Sequence, residues 1–277
     1  MPSRAVITGA SGGIGLATTR ALAAAGWHVV ATARRPESCE PLQQLADESP
    51  GVEVRSLDVT SDESVDSCIG SVLADHGGID LLVNNAGAGH RGTLEQLGLD
   101  ELSTSMELNF FGVARVTKAV LPVMRAARAG RVITVTSLNG VVALPFSDAY
   151  NAAKFAVEGL MESLATVMRE FGVHISVVEP GPVRTAFFAN VGGHVDNIDG
   201  DDPYRELINR FNARIGALGA AGQSAESVAD IIREIAADPS PALRYQTSDQ
   251  SRQIAAQKLV DPSGNSILAA TGALLQP

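Results

Sequence analysis

Apolar positions along this chain fall into short runs that alternate with long stripes. Ala5-Val6-Ile7-Thr8, Val29-Val30-Ala31-Thr32, Val52-Glu53-Val54, Ile79-Asp80-Leu81-Leu82-Val83, Arg131-Val132-Ile133-Thr134-Val135-Thr136 and Ile175-Ser176-Val177-Val178 are short and mostly β-branched, and they read as strands. Between them, amphipathic or broadly apolar stretches near 14–25, 40–47, 62–75, 100–127 and 149–171 follow a helical pattern. Near-continuous apolar strands separated by helices are covered on both faces, as in a parallel sheet. Right-handed crossovers then predict a single-domain α/β fold, Rossmann-like and doubly wound, with a mostly parallel sheet and helices on both faces.

After about residue 186 the pattern thins. Val191-Gly192-Gly193 through Gly200-Asp201-Asp202-Pro203 is Gly/Asp-rich and reads as a mobile loop. A helical segment with Leu207, Ile208, Phe211, Ile215 and Leu218 follows; Ser224-Ala225-Glu226-Ser227 resembles a helix start, and Arg244-Tyr245-Gln246-Thr247 a last strand. The tail from Pro262 to Pro277 carries no clear pattern. No repeat or linker divides the chain, so residues 1–277 form one domain, with a substrate lid at about 186–222 and a C-terminal extension at about 248–277. The 100–127 and 149–171 stretches are apolar over more than one stripe, Leu102, Met106, Phe110, Phe111, Val113 and Val116 among them, which predicts full burial or a subunit interface.

Composition and charge narrow the classes. With 45% hydrophobic and 19% charged residues, the chain can bury a sizeable core. A formal charge of −10 argues against nucleic acid and against a polybasic membrane anchor, and no apolar run reaches the length of a membrane span. Two cysteines, Cys39 and Cys68, make no disulfide framework, and the first residues do not read as a signal peptide, so a reducing compartment, the cytoplasm, is expected. His28, His76, His90, His174 and His194 show no metal-ligand spacing, and no metal is expected.

The first strand runs into Thr8-Gly9-Ala10-Ser11-Gly12-Gly13-Ile14-Gly15, where a helix opens. Gly9 permits a tight turn, and Gly13 and Gly15 allow close approach to a pyrophosphate held at the helix N-terminus. A plain strand–turn–helix without ligand is the structural alternative. The same residues spell the G-x-S-x-G elbow of a serine hydrolase, with Ser11 as nucleophile and His174 or His194 as base, but Ser11 follows the first strand, too early for such an elbow. The second strand leads into Thr32-Ala33-Arg34-Arg35, with no acid to hold ribose hydroxyls. Arg34 can instead bind a 2′-phosphate, which favours NADP(H) over NAD(H); a solvated surface arginine pair is the alternative. Asp58, with Val59, ends the third strand near the expected adenine.

Candidate chemistry lies further on. The fifth strand ends in Thr136-Ser137, Tyr150 comes thirteen residues later, and Lys154 follows four positions on in a helical pattern. Residues at i and i+4 share a helix face, so an ammonium beside the phenol is expected to lower the Tyr150 pKa and ready it for acid–base work. Ser137, at the carboxyl end of a strand, can donate to a carbonyl oxygen as charge develops there. Taken singly, each of the three also fits a packing or surface role.

Together with Thr8-Gly9…Gly13-Ile14-Gly15, Asn84-Asn85-Ala86-Gly87, Asn109 and Pro180-Gly181-Pro182-Val183-x-Thr185, these residues resemble the short-chain dehydrogenase/reductase family over residues 4 to about 190. The stretches 143–150, 171–174 and 181–187 are similar to its 17-beta-hydroxysteroid dehydrogenase type 1 and retinol dehydrogenase branch. The resemblance implies that Tyr150 is general acid in reduction and base in oxidation, that Lys154 binds the nicotinamide ribose, that Ser137 holds the carbonyl, and that Asn109 positions a water in a relay to Lys154. It implies cofactor contacts from Asn85, Ala86, Gly87, Pro180, Gly181, Val183 and Thr185 beside Ser11, Ile14 and the glycines. It also implies a homodimer or homotetramer. Gly12 departs from NADP-using relatives, which often carry a basic or hydroxyl residue there, so the NADP assignment leans on Arg34 and the neutral Ala33.

Residues flanking the site are apolar: Leu138, Leu144, Pro182, Phe187 and Phe188 lie at strand ends and in loops. The expected substrate is a small but bulky hydrophobic carbonyl or alcohol, steroid-, retinoid- or polyketide-like. A dinucleotide-binding regulator without activity is the rival class, and it gives no reason for Asn109, Ser137, Tyr150 and Lys154 to occur together.

Overall fold

A computed structural model describes residues 2–187, 192–193, 201–261, 263, 265–273 and 276. The elements run β1 (Arg4–Ile7), α1 (Gly13–Ala24), β2 (His28–Ala33), α2 (Glu40–Glu48), β3 (Val52–Ser56), α3 (Asp62–His76), β4 (Leu81–Asn84), β5 (His90–Arg91), α4 (Leu99–Met106), α5 (Gly112–Ala127), β6 (Gly130–Val135), α6 (Asp148–Arg169), β7 (Val173–Glu179), β8 (Gly192–Gly193), α7 (Arg205–Ala220), α8 (Ala225–Ala237), β9 (Arg244–Gln246), α9 (Asp249–Val260) and α10 (Asn265–Gly272). Seven strands form one sheet in the order β3-β2-β1-β4-β6-β7-β9, every pair parallel. The doubly wound α/β fold expected from the pattern is the fold observed.

Alternation along the strands sorts the core into two layers. Ala5 and Ile7 of β1 face one side, packing with Leu22 of α1, Leu42 of α2 and Ile232 of α8. Val6 faces the other, with Ile69 of α3, Val116 of α5 and Met161 of α6. Both layers are dry, which explains why these strands read as continuous apolar runs rather than alternating ones. Strand order reverses between β1 and β4, so the crevice at their carboxyl ends is where this fold places ligands.

Some elements differ from the pattern. The 100–127 stripe is interrupted: α4 and α5 are joined by a π-helical turn over Glu107–Phe111, which contains the buried Asn109. One extra residue in the turn reorients a side chain, a common device at functional sites. The C-terminal extension folds into α9 and α10, which the pattern missed because α9 buries only the small Ser251 and Ala255 and leaves Leu259 and Val260 exposed. Phe146, Ile208 and Phe211 form a third, smaller cluster that seats α7 beside the crevice. Phe188, His194 and most of the expected mobile loop at 190–203 lie outside the described residues. No helix among the described residues is long and apolar enough to cross a membrane.

Candidate active site

The glycine turn is built by steric necessity. Gly9 has φ +68°, and a Cβ there would come within 2.8 Å of Ala86 Cα. A Cβ on Gly15 would run into the Gly9 carbonyl and the Asn85 amide. Asn85 Nδ2 donates to Thr8 O at 3.0 Å and Gly9 O at 2.9 Å, and Thr8 Oγ1 accepts from the backbone N–H groups of Asn85 and Ala86, both at 3.0 Å. The ends of β1 and β4 are thus stitched together where the strand order reverses. Gly12 caps α1 with no side-chain hydrogen bond, so the first N–H groups of the helix face the crevice without a competing side-chain acceptor at the cap.

The crevice is a cleft of about 420 Å³. Gly9, Ser11, Gly13, Ile14, Arg34, Val59, Asn85, Ala86, Gly87, Pro180, Gly181, Val183 and Thr185 line it, with Tyr150 and Lys154. So do Ser137, Leu138, Leu144, Pro182 and Phe187 at the end beside Tyr150. Three residues singled out in the sequence sit elsewhere. Gly15 is buried behind the turn, as its close approach requires. Asp58 does not line the cleft: its carboxylate accepts from Thr60 N at 2.9 Å and Thr60 Oγ1 at 2.7 Å, and its neighbours Leu57 and Val59 form the wall. Asn109 lies beneath the floor, its Nδ2 donating to Ala88 O and Ser105 O, each at 3.0 Å, and its Oδ1 accepting from Ala88 N at 3.1 Å.

A dinucleotide fits this surface. A Cβ at Gly12 would project into open space with no atom within 4 Å, so its absence keeps the phosphate end of the cleft wide. Ala33 is buried and neutral at the end of β2, and the exposed Arg34 stands at the rim. Those are the residues that would face the adenosine half of such a group.

At the other end, a short helical turn over Leu138–Gly140 holds Ser137, whose Oγ accepts from Asn139 N at 3.1 Å. Asn139 Nδ2 donates to Asn151 Oδ1 at 2.8 Å, and Asn151 Nδ2 donates to Leu144 O at 2.8 Å, which pins this turn to the first turn of α6. Ser137 and Tyr150 are thereby brought to the same end of the cleft. The Tyr150 ring lies 5.9 Å from the Phe187 ring, centroid to centroid, and Lys154 Nζ lies 5.6 Å from the Tyr150 centroid. Lys154 is buried and donates to Val135 O at 3.2 Å.

The electrostatics correct one expectation. The phenol of Tyr150 is not lowered: burial pushes it up to about 12, and the hydrogen bond with Ser137 only partly opposes that. Lys154 is pushed down to about 8 by burial, with Glu158 holding it up. A 5.6 Å separation, with the ammonium turned to a backbone carbonyl, leaves desolvation dominant at both groups. With His174 as its base, the Ser11 hydrolase alternative fails on topology, and His194 lies outside the described residues. His174 sits at the amino end of β7 and Ser11 beyond the carboxyl end of the parallel β1, at opposite ends of the strands.

Sequence reading missed what lies behind Lys154. Glu158, one turn further along α6, is buried beside Glu179 of β7, and Arg244 of β9 reaches both, Nε to Glu158 Oε2 at 3.2 Å and to Glu179 Oε1 at 3.4 Å. Gln246 Nε2 donates to Glu179 Oε2 at 2.7 Å. Burial pushes Glu158 up to about 7 despite Arg244. The signal was available, because Glu158 continues the i, i+4 row of Tyr150 and Lys154; its partners on β7 and β9 were not.

Comparison with known proteins agrees with this geometry. A family model described as short chain dehydrogenase matches residues 3–195. Retinol dehydrogenase 8 of Bos taurus is 37% identical over 99% of this chain and 90% of its own length. The 17-beta-hydroxysteroid dehydrogenase type 1 of Homo sapiens is 36% identical over 96% and 83%. Among solved structures, a short-chain dehydrogenase from Streptomyces avermitilis superposes with a TM-score of 0.84 at 32% identity, covering 99% of this chain and 97% of its own. Neighbours at lower identity were solved with different dinucleotides. An alcohol dehydrogenase from Thermococcus sibiricus holds 5-hydroxy-NADP (28% identity, TM-score 0.71, 89% and 96% covered), and a Burkholderia phymatum protein holds NAD (23%, 0.82, 95% and 95%).

Proposed function

We propose, on the premise that this chain belongs to the short-chain dehydrogenase/reductase family of oxidoreductases, that it is an NADP(H)-dependent enzyme interconverting a bulky hydrophobic ketone and its alcohol. The observation that carries this is the shared cleft wall: Ser137, Tyr150 and Lys154 meet at one end of the same crevice whose other end is the glycine turn. A bound nicotinamide supplies or accepts the hydride. Ser137 donates to the carbonyl oxygen and fixes its position. Tyr150, with its phenol pushed up to about 12, stays protonated at neutral pH and gives its proton to the forming alkoxide. In the reverse direction the same oxygen must take a proton from the alcohol, so oxidation gains with rising pH. Lys154 binds the ribose, and its charge favours the phenolate once the cleft is filled.

Preference for NADP(H) rests on Ala33 and Arg34, because a guanidinium at the rim attracts a 2′-phosphate and no carboxylate repels it. The hydrophobic substrate reading rests on Leu138, Leu144, Pro182 and Phe187, joined by Phe211 and Ile215 from α7. Steroids, retinoids and polyketide-like ketones are the class that such walls accept. The lid at about 186–222 then includes α7, and the extension from 248 contributes α9, whose Lys258 Nζ sits 4.1 Å from the Phe155 ring centroid. The same reading assigns pairing of two or four copies to α5 and α6, where Phe111, just before α5, and Val167 are exposed.

The test is NADPH consumption against a panel of lipophilic ketones. Tyr150→Phe is expected to lower turnover by about 10³-fold, within the usual range for a general acid, while NADPH still binds; near-normal turnover in that variant overturns the mechanism. Wild-type binding without turnover across the panel returns the protein to the regulator class. Arg34→Glu is expected to weaken NADPH by tenfold or more, roughly the value of one charge-assisted contact, and to spare NADH. An equal effect on both cofactors removes the 2′-phosphate assignment.

A further inference from the structure

At the opposite end of the sheet from the cleft, three side chains from three elements converge. His28 opens β2, Glu53 lies in the edge strand β3, and His76 ends α3. Their nearest neighbours in sequence are 25 and 23 residues apart, so no spacing motif announces them. Glu53 Oε2 lies 3.3 Å from His28 Nε2 and 2.9 Å from His76 Nε2. The ligand atoms of all three residues lie within 4.8 Å of one another, and the imidazole centroids are 4.6 Å apart, tilted by 49°.

We propose that His28, Glu53 and His76 form a binding site for a divalent transition-metal ion, with zinc the best match, separate from the nicotinamide cleft. Tetrahedral zinc with nitrogen and oxygen ligands at about 2.0–2.1 Å sets its ligand atoms roughly 3.3 Å apart. The two carboxylate–imidazole separations already approach that edge length, and all the ligand atoms lie within 4.8 Å of one another. Two imidazoles and one carboxylate are a borderline-soft donor set that suits zinc, copper or nickel and disfavours magnesium and calcium. Three protein ligands leave the fourth position to water. The side chains are 24%, 31% and 22% exposed, which gives an ion a way in while restraining the ligands.

Charge around the cluster also permits a cation. Arg55 holds the other carboxylate oxygen, Oε1, and leaves Oε2 to the histidines. The Arg55 charge is balanced by Asp75, whose Oδ2 lies 2.7 Å from its Nη2. The Arg55 guanidinium on Oε1 favours the ionised carboxylate, the form that binds a cation. An ion here would tie the start of β2 and the edge strand to the end of α3, and its effect is one of stability. β2 runs from His28 to Ala33, so roughly 15–20 Å of strand separates the site from the dinucleotide end of the cleft.

The experiment uses the full chain without an affinity tag, stripped with a chelator and titrated with Zn²⁺ alone against a chromophoric competitor. One equivalent is expected to bind with a Kd on the order of 10 µM or tighter. At a hundredfold excess over Kd the melting temperature should rise by roughly 5 °C. Glu53→Gln and His76→Ala are each expected to weaken that equivalent at least about tenfold and to abolish the thermal shift, with melts in chelator confirming that both variants fold. Cys39→Ser should leave the equivalent intact, and Mg²⁺ should produce no shift. No bound equivalent, or one that persists unchanged in both Glu53→Gln and His76→Ala, overturns the proposal and leaves the cluster a set of hydrogen bonds between a carboxylate and two imidazoles.

Discussion

Lys154 and Glu158 are four residues apart on one face of α6, both buried and both ionisable, yet their surroundings differ in kind. Lys154 looks into the cleft, where it has one backbone carbonyl at 3.2 Å and a phenol ring whose centroid is 5.6 Å away. Glu158 looks away from the cleft to Arg244, which it shares with Glu179 and the exposed Glu162, and this network joins α6 to the last two strands of the sheet. A buried charge held by a counter-charge from a neighbouring strand serves the fold; one left with a carbonyl and a distant phenol is available for chemistry. Burial shifts both, the amine down to about 8 and the carboxyl up to about 7, so direction of shift does not separate them, whereas the partners do.

That contrast can be broken from either side. The largest effect is expected from Lys154→Met, which should cost about 10³-fold in turnover while moving the melting temperature little; steady-state rates and a thermal melt on the same preparation decide it. A variant that instead unfolds would make Lys154 a structural group like its neighbour. Arg244→Met should do the reverse. Removing the cation leaves two carboxyls buried without it, a loss of about 3 kcal/mol in a urea titration, with NADPH affinity unchanged.

Glu158→Gln is the finest probe, because it changes one charge and hardly any volume. Glu158 holds the Lys154 amine up, so its removal lets that amine fall below about 8, and the alkaline limb of the rate profile should move to lower pH. For stability the sign follows from the raised carboxyl. Its contribution is complete below the unfolded value of about 4.5 and is lost as pH rises through about 7. The wild type should therefore lose several degrees of melting temperature, on the order expected for a few kcal/mol in a chain of this size, between pH 5 and 7.5. The variant should show a flatter profile, and an unchanged slope would assign the pH dependence to other groups.

The strands, the long helices, the glycine turn and the Ser137, Tyr150 and Lys154 side chains were legible because each depends on local order. A buried parallel strand needs an apolar run, a tight turn needs glycine, and i, i+4 spacing fixes a shared helix face. The helices of the tail were not legible, since α9 rests on Ser251 and Ala255 rather than an apolar stripe. A second role of Asn85 was not legible either: its side chain locks the glycine turn, through contacts with Thr8 and Gly9 that lie more than seventy positions away. Asp58, expected near the adenine by position, has its Oδ1 engaged by Thr60 in a two-residue hydrogen-bonded turn that the spacing did not announce.

The amino-acid sequence determined the doubly wound sheet, the end of it that carries the site, and the family to which the chain belongs, because periodicity and short motifs encode what neighbouring residues must do. The tertiary structure decided which distant groups share a dielectric. It set the direction of the Tyr150 shift, placed Arg244 against Glu158, and brought His28, Glu53 and His76 around one point. Those outcomes depend on desolvation and on contacts across strands and helices, and neither quantity is carried by the spacing of residues along the chain.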